Sequence, residues 1–320
     1  MKKWIIRAPR MLDDMHTAAF KPTTGLLLLI AVAIFIANLK AQTVGLVIYL
    51  VAMLLGRSVS FPDIMNALTS SQGIMIFSLF ITVMLTLFTL IYLKRIEKRP
   101  LMTAGISRGH IVPRYVVGFA LGAAALLICF APSMIGTDMH YKGLSVLIPV
   151  YLLAFIVQSS AEEVFFRGFL MTGISKRIGI LFGVLISSGV FSLAHALNGG
   201  YSLLGGIYYA LIGAFLALLM LRTNSIWASC GFHGAWNFTI GLLAPMSLGS
   251  GLPAVDYALF DVPQTTEPSY SILGDPFYLI LTGVFLAAIA LLLFVGKNKL
   301  IVRTPLLSVN GNETHRYLKE

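Results

Sequence analysis

The chain has 320 residues, 58% hydrophobic and 11% charged, with a formal net charge of +10 and a mean hydropathy of +0.87. A soluble globule of this size needs more polar surface than that composition supplies, so the chain reads as a polytopic membrane protein. Its positive charge is mostly explained by membrane topology and calls for no nucleic-acid partner.

Residues 1–24 carry Lys2, Lys3, Arg7, Arg10 and Lys21 and are expected to be a cytoplasmic or interfacial segment whose bases face anionic lipid. The apolar stretch that follows is too long for a signal h-region and lacks a small-residue cleavage site, so it is expected to be retained. It runs over 25–56, is interrupted by Lys40, and is taken as one tilted span because neither half alone crosses a core about 30 Å thick. Seven further uncharged apolar runs, each long enough to span as a helix, lie at 73–93, 115–136, 143–161, 178–194, 201–221, 225–244 and 277–296. The predicted fold is all-α, a bundle of about eight transmembrane helices around a polar intramembrane cavity.

Charge placement tests that count, because cytoplasmic loops carry the excess of Lys and Arg. With eight spans and both termini inside, the inner segments hold the N-terminal bases, then Lys94, Arg95, Lys98, Arg99, Arg108 and Arg114, then Arg167, Lys176 and Arg177, then Arg222, and last Lys297, Lys299, Arg303, Arg316 and Lys319. The outer loops hold only Arg57 and Lys142 among bases, and carry Asp63, Asp138, Asp256, Asp261, Glu267 and Asp275. The chain then divides into the interfacial start, N-terminal transmembrane helices over 25–142, a catalytic core over 143–244, an outer loop and last helix over 245–296, and a flexible cytoplasmic tail over 297–320. A multi-pass protein of a bacterial cytoplasmic membrane is expected, with the bilayer as its surroundings. Gly118 and Gly122, spaced Gly-x-x-x-Gly, predict close helix packing. Cys129 and Cys230 have no metal-ligand spacing and read as packing residues.

Ionisable groups at membrane depth mark functional sites, since a carboxylate in hydrocarbon costs several kcal/mol unless paired, hydrated or protonated. Glu162 and Glu163 sit inside Ser-Ser-Ala-Glu-Glu-Val-Phe-Phe-Arg, and two later spans carry His195 and His233. Adjacent helical residues are ~100° apart, so the two glutamates are assigned different tasks. Glu163 and Arg167 are spaced i,i+4 in the favourable order for an ion pair, which leaves Glu162 to act on substrate or water. His233 and Asn237 share a helix face by the same interval, as do Phe191 and His195. At ~1.5 Å per residue from the basic markers, Glu162, His195, His233 and Asn237 fall in a band about 10 Å tall, which favours one shared site. Ser159 and Ser160 lack a Gly-x-Ser-x-Gly elbow and are expected to bond back to helix carbonyls.

Such a set works in two ways. In one, Glu162 and His195 deprotonate and orient a water for attack on a carbonyl, while His233 and Asn237 donate to the developing oxyanion. In the other, Glu162, His195 and His233 ligate a divalent metal such as zinc that activates the water. The first, with no cofactor, is preferred because an asparagine four residues after a histidine suits an oxyanion hole better than a zinc shell. A non-enzymatic membrane adaptor or immunity protein, and a proton-coupled transporter using the same groups as a relay, are the rival classes; no inverted repeat supports transport.

Glu-Glu-x-x-x-Arg (Glu162, Glu163, Arg167), Phe-x-x-x-His (Phe191, His195) and His-x-x-x-Asn (His233, Asn237), in this order on successive helices, resemble the three motifs of the CPBP family of CAAX-protease and bacteriocin-processing intramembrane peptidases. The resemblance covers about 143–244. It implies an intramembrane endopeptidase acting on a membrane-associated, prenylated or small peptide substrate. It also implies water activation by Glu162 and His195, oxyanion binding by His233 and Asn237, and structural support from Glu163, Arg167 and Phe191. Family members have been described both as metalloproteases and as glutamate proteases, so the resemblance leaves the metal question open.

Overall fold

Hydrocarbon offers no partner to a backbone N–H or carbonyl, which leaves helices as the form for apolar runs of this length. The structure, a computed structural model, describes residues 49, 51–58, 60, 62–63, 71–134, 140–195, 202–243, 257–261 and 277–294. Its helices are α1 (Ser71–Ile91), α2 (Ile111–Met134), α3 (Ile148–Glu163), α4 (Thr172–Ile178), α5 (Ile180–His195), α6 (Leu203–Thr223), α7 (Trp227–Leu243) and α8 (Phe277–Phe294). A π-helical turn, Tyr92–Ile96, extends α1, and a π-helical segment, Val164–Met171, joins α3 to α4. The protein is an all-α polytopic bundle.

Seven of the eight predicted spans coincide with these helices; the stretch 25–56, the start over 1–24 and the tail over 297–320 lie wholly or mostly outside the described residues. Among the described residues, Met75–Ile96, Ile111–Cys129, Ile148–Ile178 and Leu203–Thr223 are long and apolar enough to cross a membrane, whereas Ile180–His195 and Ile280–Leu292 are apolar but shorter. The span expected over 143–161 needs correction at both ends. It starts at Ile148 and runs on through Val164–Met171 to Ile178. A hydropathy run stops at Glu162, but the helix does not, because its charges are neutralised inside the bundle.

Helix α7 packs on α2 and α3, α5 packs on α6, and α8 closes over α6. The α2–α7 contact confirms the Gly-x-x-x-Gly reading: a Cβ on Gly118 would lie 2.1 Å from the Ala228 carbonyl oxygen, and one on Gly122 would lie 2.3 Å from that of Phe232. Gly231 answers from α7, its Cβ position 2.1 Å from the Tyr115 carbonyl oxygen. Small residues on both helices let the backbones meet. Both cysteines are free and buried.

The basic segments gather at one end of the bundle. The Ile226 N–H donates to Gly105 O at 2.9 Å, the Trp227 indole donates to Ser107 O at 2.7 Å, and Arg99 donates to Gly168 O at 3.3 Å. These bonds tie the connections after α1 and α6 to the π-helical segment. At the opposite end, β1 (His140–Tyr141) pairs antiparallel with β2 (Phe260–Asp261). Beside this pair Tyr257 is fully buried, stacked between Tyr151 and Phe238 at 4.3 and 5.6 Å. The expected irregular loop over 245–275 is therefore anchored where it is described.

Candidate active site

Glu163 ends α3 and Arg167 lies one turn on; both are buried, with Arg167 Nη1 2.9 Å from Glu163 Oε1. Arg167 Nη2 donates to Gly213 O on α6 at 3.2 Å, and the guanidinium lies 4.4 Å from the centre of the Phe191 ring on α5. One buried cation thus joins three elements, and its desolvation is offset by an ion pair, a backbone acceptor and an aromatic face. Arg167 is a core residue, where charge counting had set it with the inner loops.

His233, on α7, has Nδ1 2.9 Å from Glu163 Oε1 and Nε2 3.7 Å from Glu162 Oε2. The expected i,i+4 pair of Glu163 with Arg167 is present, and the two glutamates in addition address opposite edges of one imidazole. Glu163 serves Arg167 and His233 with the same oxygen. Because a carboxylate only accepts, Nδ1 carries a proton, and His233 donates from Nε2 only as the imidazolium.

Glu162 is held from its own helix. Gln158 Nε2 donates to Glu162 Oε1 at 2.5 Å, and Gln158 Oε1 accepts from Asn237 Nδ2 at 3.2 Å. Glu162 Oε2 is buried and has no hydrogen-bond partner. The structure therefore brings Asn237 to Glu162 through a residue that motif reading passed over. Its signal was present, a polar side chain four residues before a glutamate in an apolar helix, yet a neutral amide there also reads as helix glue. Ser159, expected to bond back to the helix, donates to Phe155 O at 2.6 Å.

His195 closes α5 and donates from Nδ1 to Phe191 O at 2.8 Å, which leaves Nε2 as the acceptor of the neutral ring. It stacks on Tyr209 at 4.2 Å and lies 4.5 Å from the Phe191 ring. Phe191 also meets His233 edge to face at 5.8 Å. One phenylalanine therefore buttresses both histidines and Arg167. Tyr209 was not singled out by sequence, because a tyrosine in an apolar helix has no distinguishing mark.

Among the described residues no three His, Cys, Asp or Glu side chains are grouped to hold a metal ion, and the two nitrogens of His233 face Glu163 and Glu162.

Helix bundle and site together define an integral membrane protein whose acid, histidine and amide groups, buried or half-buried, converge from α3, α5 and α7. Residues 144–239 match the family described as Type II CAAX prenyl endopeptidase Rce1-like, a stretch that takes in every site residue named above. The match extends the resemblance seen in three short motifs to the whole stretch 144–239, less than half of the chain. The chain is also 30% identical over 152 residues to a Bacillus subtilis (strain 168) protein named only Uncharacterized protein YyaK, covering 45% of this chain and 48% of that protein. The chain spans about half the length of that relative. No solved structure gives a significant match.

Proposed function

We propose that the protein is an intramembrane endopeptidase that hydrolyses a peptide bond in a membrane-associated, prenylated or small peptide substrate. The observation that carries this reading is the buried, unpartnered Glu162 Oε2, 3.7 Å from a histidine whose far side is fixed by Glu163. A water that donates one hydrogen bond to the Nε2 of His195 gives its other proton to Glu162 Oε2 as its oxygen attacks the carbonyl. His233, as the imidazolium held by Glu163, and the second N–H of Asn237 donate to the oxyanion; the proton then passes to the leaving amine as the C–N bond breaks. Substrate peptide and lipid bilayer are the partners.

The deciding experiment compares membrane-protein termini in cells carrying the wild type and Glu162→Gln. New termini that depend on Glu162 are expected; their complete absence would sink the protease reading. Asn237→Ala should be nearly as damaging as Glu162→Gln, whereas a proton relay for transport would survive it. Activity is expected to persist in protein stripped by a chelator, and recovery of a lost activity on adding zinc would overturn the metal-free mechanism. We place both termini on the cytoplasmic side of a bacterial membrane. Cysteines substituted at Lys98 and Asp261 should then be labelled only from the inside and only from the outside, respectively.

A further inference from the structure

Gln158 belongs to none of the three motifs, yet both ends of its side chain are committed. Its amide N–H donates to Glu162 Oε1 at 2.5 Å and its carbonyl accepts from Asn237 Nδ2 at 3.2 Å. A carboxylate has two equivalent oxygens and turns about its last bond unless one of them is held. With Oε1 held, Oε2 is the oxygen turned toward His233 Nε2. The amide of Asn237 has two N–H groups, and giving one to Gln158 sets the direction of the other.

We infer that Gln158 is a positioning residue, a bridge that holds the water-activating carboxylate of α3 in register with the oxyanion donor of α7. The inference rests on the proteolytic reading above. Its chemistry is specific to glutamine. Asparagine is one methylene too short to reach a full turn along the helix, glutamate would set a like charge against Glu162, and an apolar side chain supplies neither donor nor acceptor. Attack and oxyanion binding happen at one carbonyl, so a base and a donor on different helices need a common ruler. Loss of that ruler lowers the rate of the chemical step and leaves substrate binding in place.

The test uses full-length protein in liposomes and a peptide spanning a cleavage site that depends on Glu162 in cells. Gln158→Met keeps length and apolar bulk. Its kcat should fall by about 10- to 100-fold with KM within about twofold, the size expected from misplacing reacting groups by an ångström or less. Thermal unfolding should move little. Asn237→Ala introduced into Gln158→Met should cost much less than in the wild type, since the two changes cut the same chain of contacts. Gln158→Glu, which keeps an acceptor for Asn237 but repels Glu162, should lose at least as much activity, and it decides the matter if the methionine variant is unstable.

Cleavage within threefold of the wild type by either variant overturns the inference. So does a raised KM with unchanged kcat, which would make Gln158 a substrate contact, and so do additive losses with Asn237→Ala. Failure of both variants to fold also overturns it, in favour of a structural role. If the wild type shows no cleavage dependent on Glu162, the proteolytic reading fails first and takes this inference with it; cleavage by the wild type that is indifferent to Gln158 defeats the inference alone.

Discussion

Two buried acid–arginine pairs lie among the described residues, and they serve different ends. Glu163 and Arg167 meet at 2.9 Å in the middle of the bundle, while Glu97 and Arg99 sit 3.7 Å apart at its basic end. All four side chains are buried. The difference lies in the third partner. Glu163 shares its oxygen with His233, an imidazole on α7 whose other nitrogen faces Glu162. Arg99 instead spends its donors on Thr103 Oγ1 at 2.7 Å, Thr103 O at 2.8 Å, Gly168 O at 3.3 Å and Thr172 Oγ1. A buried ion pair is weak evidence for function by itself; its link to a titratable neighbour is what separates a site from a brace.

Breaking the central pair should have the largest effect. Glu163→Gln removes the negative charge that neutralises Arg167 in a low-dielectric setting and leaves a single neutral amide oxygen for both Arg167 and His233 Nδ1, at a cost of about 3–5 kcal/mol. Membrane accumulation and thermal stability should both fall, and cleavage should fall with them. Glu162→Gln, which keeps shape and a partner for Gln158, should abolish cleavage while accumulating normally. Identical behaviour of the two variants in both assays would contradict the arrangement seen around His233.

Next in size is the helix contact that brings α7 to the site. In Gly118→Ala the new methyl would sit 2.1 Å from the backbone oxygen of Ala228, and a helix backbone has little room to yield. A loss of about 1–3 kcal/mol is expected, read as a lower unfolding temperature. Because α7 carries His233 and Asn237, cleavage should fall more than stability alone explains. An unchanged unfolding temperature would show that the two helices can separate without penalty.

At the basic end the effects should be smaller. Thr172→Val removes a hydroxyl that accepts from Arg99 and donates to Gly168 O, for about 1–2 kcal/mol. Stability should drop while cleavage per folded molecule stays near the wild type. A selective loss of cleavage would mean that the brace tunes the site through Val164–Met171.

What sequence could say about this site follows from its periodicities. The i,i+4 spacing put Glu163 with Arg167, His233 with Asn237 and Phe191 with His195, because those relations live within one helix. Helix extents were legible for the same reason, since length and charge bound them. The contacts between helices were not. Nothing in the spacing told that Glu163 reaches His233 across to α7, that Gln158 joins Glu162 to Asn237, or that Gly231 meets the backbone of Tyr115. The continuation of α3 past Glu162 was hidden too, because a hydropathy window counts Glu163 and Arg167 as two charges where the bundle sees a neutralised pair.

The smallest effect separates the two pairs by pH. Burial raises the Glu97 carboxyl above its ordinary value, and Arg99, Arg177 and Lys176 only partly oppose it; the same burial lowers the Arg99 guanidinium to about 10, against the pull of Glu97. A carboxyl that holds its proton more tightly in the folded state than in the unfolded one contributes stability that is full below the unfolded pKa of 4.5 and is lost as pH rises through the raised folded value. Arg99 stays charged throughout that window and adds no slope to it. The unfolding temperature of the wild type should therefore carry a component that declines from acid toward neutral pH, and Glu97→Gln should lack it. The measurement is the difference between the two unfolding temperatures across about pH 4 to 8, which brackets ordinary and raised carboxyl values. A wild-type advantage that shrinks as pH rises supports a desolvated Glu97. An advantage that grows instead would mean that Arg99 dominates and that the basic-end pair is held as tightly as the central one.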